Sequence, residues 1–168
     1  GCWTPLEKFS DSSSEWSLTN ADDDYRNFAI LKKDKIVGKI SWSLIGEHNA
    51  YNALAAIIAA YDIGVTIEEA CSALTKFKSV KRRLECIFDA KGVQVYDDFA
   101  HHPTAIKKTL RALRQHAGEG RLIAIMEPRS NTMRMGVHAK TLSSAFVDAD
   151  IVLIFQADSM DWDITKNM

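Results

Sequence analysis

Cysteine is scarce in this sequence, and long apolar runs are absent from it. The chain has three cysteines, Cys2, Cys71 and Cys86, which are widely spaced and form no CxxC pair. This pattern argues against a disulfide framework or a zinc site and is typical of free thiols in a reducing cytosol. No apolar run approaches the roughly 18 residues of a membrane span. The first residues, GCWTPLEKF, also lack the basic-then-apolar pattern of a signal peptide. We therefore expect a cytoplasmic protein without a membrane span.

An excess of either charge is also missing. Lys and Arg number 21 and Asp and Glu number 22, so the formal net charge is -1. This balance gives no reason to expect a nucleic acid or an acidic membrane as a partner. The length of 168 residues suits one domain, or one domain with part of another.

The first half of the chain predicts a β-hairpin followed by two helices. Apolar-rich runs at 28–31 and 36–44 flank a charged turn. EHNAYNALAAIIAAYDIG is rich in Ala, Leu and Ile, and apolar residues almost encircle it, so we expect a buried helix. TIEEACSALTKF predicts a second helix, which Thr66 and Glu69 would begin as a capping box.

The second half predicts strands and helices in alternation. RLECIFDAKGVQVYDD gives two strands about a turn at Lys91-Gly92, and a helix is expected over 103–115. GVHAKTLSSAFVDA is also helical, and RLIAIMEP and DIVLIFQA are continuous apolar strands, typical of a parallel sheet buried on both faces. This order predicts an α/β fold, a Rossmann-like, mostly parallel sheet with flanking helices. The strands are too few for a complete doubly wound domain, so we expect truncation at the C-terminus and, from the fragmentary first half, at the N-terminus.

Polar clusters follow three of the predicted strands. In an open α/β sheet the carboxyl ends of the strands carry the ligand site, so three such loops are expected to build one site. The clusters are DDFAHH at 97–102, EPRSNTMR at 127–134 and QADSMDWD at 156–163.

The first cluster precedes a helix that Pro103 is suited to begin. The amino end of a helix attracts phosphate or carboxylate groups. Asp97 and Asp98 should point in opposite directions, so that one can bind a ligand hydroxyl while the other supports local structure. Both could instead be solvated loop charges. A metal site on Asp98, His101 and His102 is a further alternative, although adjacent histidines seldom reach one ion, and we expect His102 to support the helix start.

The second cluster places Arg129 and Arg134 around Ser130 and Asn131. Guanidinium groups bind carboxylates through paired hydrogen bonds, so these residues predict an anionic substrate. Glu127 and Asp158, on neighbouring loops, could orient these arginines or bind an amine. The alternative is a set of surface charges in a polar loop.

Two further motifs carry candidate ligand residues. In GEHNAYN, His48, Asn49 and Asn52 lie within about one helical turn, where amide side chains can bind a purine edge or simply cap the helix. In KRRLE, Arg83 and its basic neighbours could reach a phosphate or could form a solvated charge run.

Taken together, GEHNAYNALAA, KRRLE and DDFAHHPTAI resemble the Mur ligase family, the ATP-dependent amide ligases of peptidoglycan synthesis. The resemblance implies that 1–78 is the C-terminal part of the family's central ATP-binding domain and that 79–168 is a truncated C-terminal domain. The sequence has no GxxxxGK[ST] phosphate-binding loop. The fragment alone is therefore expected to be inactive, whereas the full enzyme would use ATP and Mg2+ to form an acyl phosphate that an amine attacks.

The resemblance also assigns roles to residues of this chain. Asn49 and Asn52, with His48 beside them, would contact adenine. Arg83 would reach the nucleotide across the domain junction, Asp98 would bind the ribose, and His101 would lie near the acyl-phosphate centre. Phe99 departs from the tyrosine that is common at its position.

DDFAHHPT is most similar to the branch of the family that acts on UDP-N-acetylmuramate. EPRSNTMRMG and DSMDWD favour the tripeptide L-alanyl-γ-D-glutamyl-meso-diaminopimelate as the second substrate, with Arg129, Ser130, Asn131 and Arg134 as its contacts. A UDP-N-acetylmuramate–L-alanine ligase is the alternative within the family. A nucleotide-binding module without catalysis and a metallohydrolase on the Asp98 cluster are alternatives from other classes.

Overall fold

The computed structural model of the chain describes residues 7–9, 14–156 and 160–167. The chain divides into two compact units, Gly1–Lys78 and Ser79–Met168. Each unit has its own apolar core.

The first unit contains a three-stranded antiparallel sheet. Its strands are β1 (Trp16–Thr19), β2 (Asn27–Lys32) and β3 (Lys35–Ser41), in the order β1-β2-β3. The β2–β3 hairpin confirms the predicted one. Lys32 Nζ lies 4.6 Å from the centroid of the Trp16 ring and 3.9 Å from that of the Tyr61 ring, so a cation–π contact joins the sheet to the following helix.

Two helices complete this unit, α1 (Glu47–Asp62) and α2 (Ile67–Thr75). The Thr66 hydroxyl accepts from the Glu69 amide, and the Glu69 side chain bonds the Thr66 backbone, which confirms the capping box. The predicted burial of α1 applies to one face of the helix only. The face of α1 that carries Leu54 and Ile57 is fully buried, whereas Asn52 is exposed, because the sheet and α2 cover one side of the helix.

The second unit begins with an antiparallel hairpin of β4 (Glu85–Ala90) and β5 (Val93–Asp97). Lys91 and Gly92 form its turn with φ of 55° and 76°, as type I′ hairpin turns require. Helix α3 (Pro103–Ala117) follows and buries Ile106 and Leu110. The turn and the helix agree with the sequence prediction.

Strands β6 (Ile123–Met126) and β7 (Ile151–Ile154) pair in parallel. The helix predicted over GVHAKTLSSAFVDA is only the short helix α5 (Ala139–Leu142) followed by a 3-10 turn at Ser143–Phe146, and another short helix, α4 (Asn131–Arg134), precedes it. The prediction that both sheet faces are buried is wrong. Ala124 is 8% exposed but Ile125 is 79% exposed, because only one face of the pair packs on the core of this unit.

The α/β class with flanking helices is confirmed. In the described part of the chain, the parallel pairing joins β6 to β7 and the other strand pairs are antiparallel. Over the same residues, no helix combines the length and hydrophobicity that a bilayer crossing requires.

Candidate functional site

Two described contacts join the segment between β6 and β7 to the loop after β5 and to the segment after β7. The ring centroids of His102 and His138 lie 4.5 Å apart, which joins the loop after β5 to the segment after β6. Trp162 Nε1 donates to the Met133 carbonyl oxygen at 2.7 Å, which joins the segment after β7 to α4. The second and third clusters are thus in direct contact, and the first cluster contacts the chain just after the second, although β5 and β6 belong to separate two-stranded sheets.

The two adjacent histidines make different local contacts. His102 is the N-cap of α3, and its Nδ1 accepts from the Thr104 amide at 3.3 Å, so its predicted support of the helix start is confirmed. His101 is exposed, with Nδ1 at 2.9 Å from the Phe99 carbonyl oxygen. Because a carbonyl can only accept, Nδ1 carries the proton there, and Nε2 of the neutral ring is a hydrogen-bond acceptor.

The Asp98 carboxylate has three described donors. Oδ2 accepts from the Leu84 amide at 2.7 Å. Oδ1 accepts from the Ala100 amide at 2.8 Å and from the Thr109 hydroxyl at 3.3 Å. An ionised carboxylate has about four acceptor positions, so these bonds leave about one, on Oδ2, for a ligand. Asp98 therefore has local structural bonds as well as capacity for one further donor.

A cavity of about 140 Å³ opens beside this carboxylate. Asp98 and Thr109 lie on its wall, and most of the remaining lining is apolar, including Ile106, Leu110 and Ile125. A group that entered this cavity would meet the carboxylate among mostly apolar residues.

The KRRLE segment lies against the same loop. Arg82 Nε is 3.4 Å from Asp97 Oδ2, and its guanidinium carbon is 5.3 Å from the Phe99 ring centroid. The Phe99 amide donates to the Arg82 carbonyl oxygen at 2.8 Å. The neighbouring Arg83 is exposed. Arg82 is therefore engaged locally, and Arg83 offers its guanidinium to solvent or to a ligand.

The second cluster contains one ion pair and one helix cap. Arg129 Nε lies 2.8 Å from Glu127 Oε1, as expected if Glu127 orients this arginine. Asp158, the other carboxylate predicted for this role, lies outside the described residues. The hydrogen bond with Glu127 raises the pKa of Arg129 above its usual value. The Ser130 hydroxyl accepts from the Met133 amide at 3.3 Å as the N-cap of α4. Asn131 and Arg134 are the first and last residues of that helix and are exposed.

The first unit carries the third set of predicted residues at the amino end of α1. Asn49 Nδ2 donates to the Ile45 carbonyl oxygen at 2.9 Å, which leaves its Oδ1 as an acceptor. His48 is partly buried, and Asn52 is exposed one turn further along. The alternative that these side chains cap the helix is wrong, because the N-cap of α1 is Gly46 and it has no side-chain cap hydrogen bond.

A metal site was an alternative for the first cluster. Over residues 7–9, 14–156 and 160–167, no three His, Cys, Asp or Glu side chains converge in a way that could hold a metal ion.

Sequence reasoning missed three residues that shape these clusters, Thr109, His138 and Trp162. Thr109 had a recognisable signal, because it lies three positions after Ile106 on the apolar face of α3. The contacts of His138 and Trp162 join segments that are far apart in sequence, so no local pattern indicates them.

Comparison with known proteins adds a family and named relatives. A family model for the Mur ligase, glutamate ligase domain, matches residues 82–168. The chain is 44% identical over 165 residues to the UDP-N-acetylmuramate–L-alanyl-γ-D-glutamyl-meso-2,6-diaminoheptandioate ligase of Haemophilus influenzae, a match to 98% of this chain and 36% of that protein. It is 36% identical over 137 residues to the UDP-N-acetylmuramate–L-alanine ligase of Fusobacterium nucleatum, which covers 76% of this chain and 29% of that protein.

Among solved structures, the murein peptide ligase of Psychrobacter arcticus matches with a TM-score of 0.66 and 41% identity. That match covers 99% of this chain and 35% of the other. The chain therefore spans about a third of the length of the relatives that it matches.

Proposed function

The chain belongs to the Mur ligase family, and from this premise we propose that it is part of a cytoplasmic ATP-dependent amide ligase. The ligase would join the tripeptide L-alanyl-γ-D-glutamyl-meso-diaminopimelate to UDP-N-acetylmuramate in peptidoglycan recycling. One observation supports the tripeptide over L-alanine as the second substrate. Identity to the tripeptide ligase of Haemophilus influenzae is 44% over 98% of the chain, against 36% over 76% for the L-alanine ligase of Fusobacterium nucleatum.

We assign residues 1–78 to the end of the central ATP-binding domain and 79–168 to the C-terminal domain. The free thiols of Cys71 and Cys86 agree with a cytoplasmic location. The isolated chain should not catalyse ligation, because its sequence has no phosphate-binding loop.

ATP and Mg2+ are the cofactors of this proposal, and when bound they would supply the phosphoryl group that activates the muramate carboxylate. The residues of this chain suit a nucleotide. Asp98 retains about one acceptor position for a ribose hydroxyl, Arg83 is an exposed cation for a phosphate, and His101 offers Nε2 to a donor near the reacting group. The amides of Asn49 and Asn52, with His48 beside them, suit the adenine edge.

The tripeptide would bind at the second cluster. Arg129 and Arg134 suit its carboxylates, and Glu127 keeps the Arg129 guanidinium in one orientation. Ser130 and Asn131 set the start of α4 and thereby the position of Arg134 at its end.

The substrate can be tested in the longer ligase of which this chain is proposed to be part. ADP release would be measured with UDP-N-acetylmuramate and ATP, with either the tripeptide or L-alanine as the acceptor. We expect kcat/KM for the tripeptide to exceed that for L-alanine by at least about a hundredfold. A preference for L-alanine would establish the alternative within the family, and the absence of turnover with either would favour a binding module.

The nucleotide role can be tested in the same enzyme with Asp98→Ala. The change should raise KM for ATP more than KM for the tripeptide, because the carboxylate is assigned to the ribose. Arg134→Gln is the matched variant from the other cluster and should have the reverse effect. Unchanged ATP kinetics in Asp98→Ala would refute the assignment.

A further inference from the structure

The segment between Lys81 and Glu85 bends through two residues in the left-handed backbone region. Arg82 has φ of 60° and Leu84 has φ of 51°. Residues with a Cβ are disfavoured there, and a branched, bulky side chain such as that of leucine more so. Since neither position is glycine, the surroundings must hold this conformation.

Asp98 supplies the central contact that holds the bend. Its Oδ2 accepts from the Leu84 amide at 2.7 Å, and the next residue, Phe99, donates its amide to the Arg82 carbonyl oxygen at 2.8 Å. The bend is thus bonded at both left-handed residues to the loop after β5. Arg83 lies between them, and its exposed side chain takes its direction from their backbone.

Thr109 in turn fixes the carboxylate. Its hydroxyl donates to Oδ1 at 3.3 Å, while the Ala100 amide donates to the same oxygen at 2.8 Å. Thr109 is partly buried on the face of α3 that carries Ile106 and Leu110, so its backbone is well anchored. The hydroxyl therefore connects a rigid helix to the carboxylate that holds the bend.

We propose that Asp98 and Thr109 are positioning residues that hold the Arg82–Leu84 bend and thereby present Arg83 to the nucleotide phosphates. This rests on the proposed function for the role of Arg83. It differs from a ribose contact alone, because Asp98 acts through Arg83 even where no ribose hydroxyl is present.

The first experiment uses the 168-residue chain and does not depend on the proposed function. Backbone amide hydrogen exchange would be followed by NMR in Thr109→Val, Thr109→Ser and the control Thr141→Val. Thr109→Val should speed exchange at the Leu84 amide by about fivefold or more, whereas Thr109→Ser, which keeps the hydroxyl, should stay within about twofold of wild type. Unchanged exchange at Leu84 in Thr109→Val would overturn the proposal. Thr109→Ala provides a second variant if the valine impairs folding.

The second experiment uses the longer ligase and measures kcat/KM for ATP. Thr109→Val should lower it by about tenfold, Thr109→Ser should restore it, and Thr109→Val should have less than about a twofold effect in an Arg83→Gln background. The loss should persist with 2′,3′-dideoxy-ATP, because it does not pass through the ribose.

The outcomes separate the two hypotheses. The positioning role would be overturned if Thr109→Val lowered kcat/KM for ATP equally in the wild-type and Arg83→Gln backgrounds, or if the loss vanished with 2′,3′-dideoxy-ATP. Either result would leave the ligase assignment intact. If the wild-type enzyme did not use ATP at all, the proposed function would fail and the positioning role with it. The exchange result would then still stand as a structural fact about the bend.

Discussion

Gly38 in β3 packs so closely against α2 that Gly38→Ala should destabilise the fold unless Cys71 is also replaced by a smaller residue. A Cβ at position 38 would lie 2.7 Å from Cys71 Sγ and 3.1 Å from Ile67 Cγ2. Gly38 is not among the residues with positive φ, so its backbone accepts alanine and the conflict is purely steric. Cys71 is 6% exposed, which leaves its sulfur little room to move away.

The magnitude follows from two opposing contributions. Overpacking a core costs about 1–3 kcal/mol, and replacing a glycine in a strand with alanine returns roughly 0.5–1 kcal/mol. Gly38→Ala should therefore lower the free energy of unfolding by about 1–2 kcal/mol. Cys71→Ala should cost about 1 kcal/mol through lost burial and a small cavity. The new methyl group occupies the space that the sulfur leaves, so the double variant should be at least about 1 kcal/mol more stable than the two single costs predict.

The assay is urea unfolding of the wild type, both single variants and the double variant. Tryptophan fluorescence reports on the first unit through the buried Trp16 and Trp42. Hydrogen exchange of peptides from α3, in the second unit, provides an internal reference that should not change. Additive costs, or a Gly38→Ala variant as stable as the wild type, would refute the steric argument.

The three remaining predictions concern charged side chains. Lys32→Met should lower the free energy of unfolding by about 1 kcal/mol, because it removes two cation–π contacts. Lys33→Met removes only an exposed ion pair and should lower it by less than about 0.5 kcal/mol. Equal losses for the two variants in urea unfolding would contradict this. The amide of Leu122 and then the guanidinium of Arg114 lower the pKa of Asp150. A lowered carboxyl pKa stabilises the folded state above the unfolded pKa of about 4, and this contribution is lost as the pH falls through the folded value. The difference in Tm between the wild type and Asp150→Asn should therefore shrink as the pH falls from about 5 to 2, and a constant difference would argue against the carboxylate. Replacing Arg114 with Met should lower Tm, because its guanidinium also donates to three backbone carbonyl oxygens.

Elements governed by local rules could be predicted from the sequence. The capping box of Thr66 and Glu69 needs residues three positions apart and nothing else. The turn at Lys91 and Gly92 and the helix that begins at Pro103 are likewise determined within a few residues.

Features that depend on distant contacts could not be predicted. The strand end predicts that one of Asp97 and Asp98 binds a ligand, and the family resemblance favours Asp98, but the bonds of Asp98 to Leu84 and Thr109 depend on how three segments pack. The sheet faces were predicted from apolar runs alone. Such runs show that a strand can be buried, whereas the exposure of Ile125 depends on which elements cover each face.

The bend at Arg82 and Leu84 shows how tertiary contacts override local preference at the candidate site. Local rules favour glycine at both positions, because both have positive φ. Glycine would lose the contacts that these side chains make. The Arg82 guanidinium lies 3.4 Å from the Asp97 carboxylate and near the Phe99 ring, and Leu84 is only 9% exposed. The loop after β5 therefore stabilises the bend together with local bonds, in which the Arg82 amide donates to Glu85 Oε2 at 2.9 Å and the Ser79 hydroxyl donates to the Arg83 carbonyl oxygen at 2.9 Å. It follows that the position of Arg83 depends on that loop. A substitution in the loop should therefore displace the Arg83 side chain even where the substituted residue makes no contact with it.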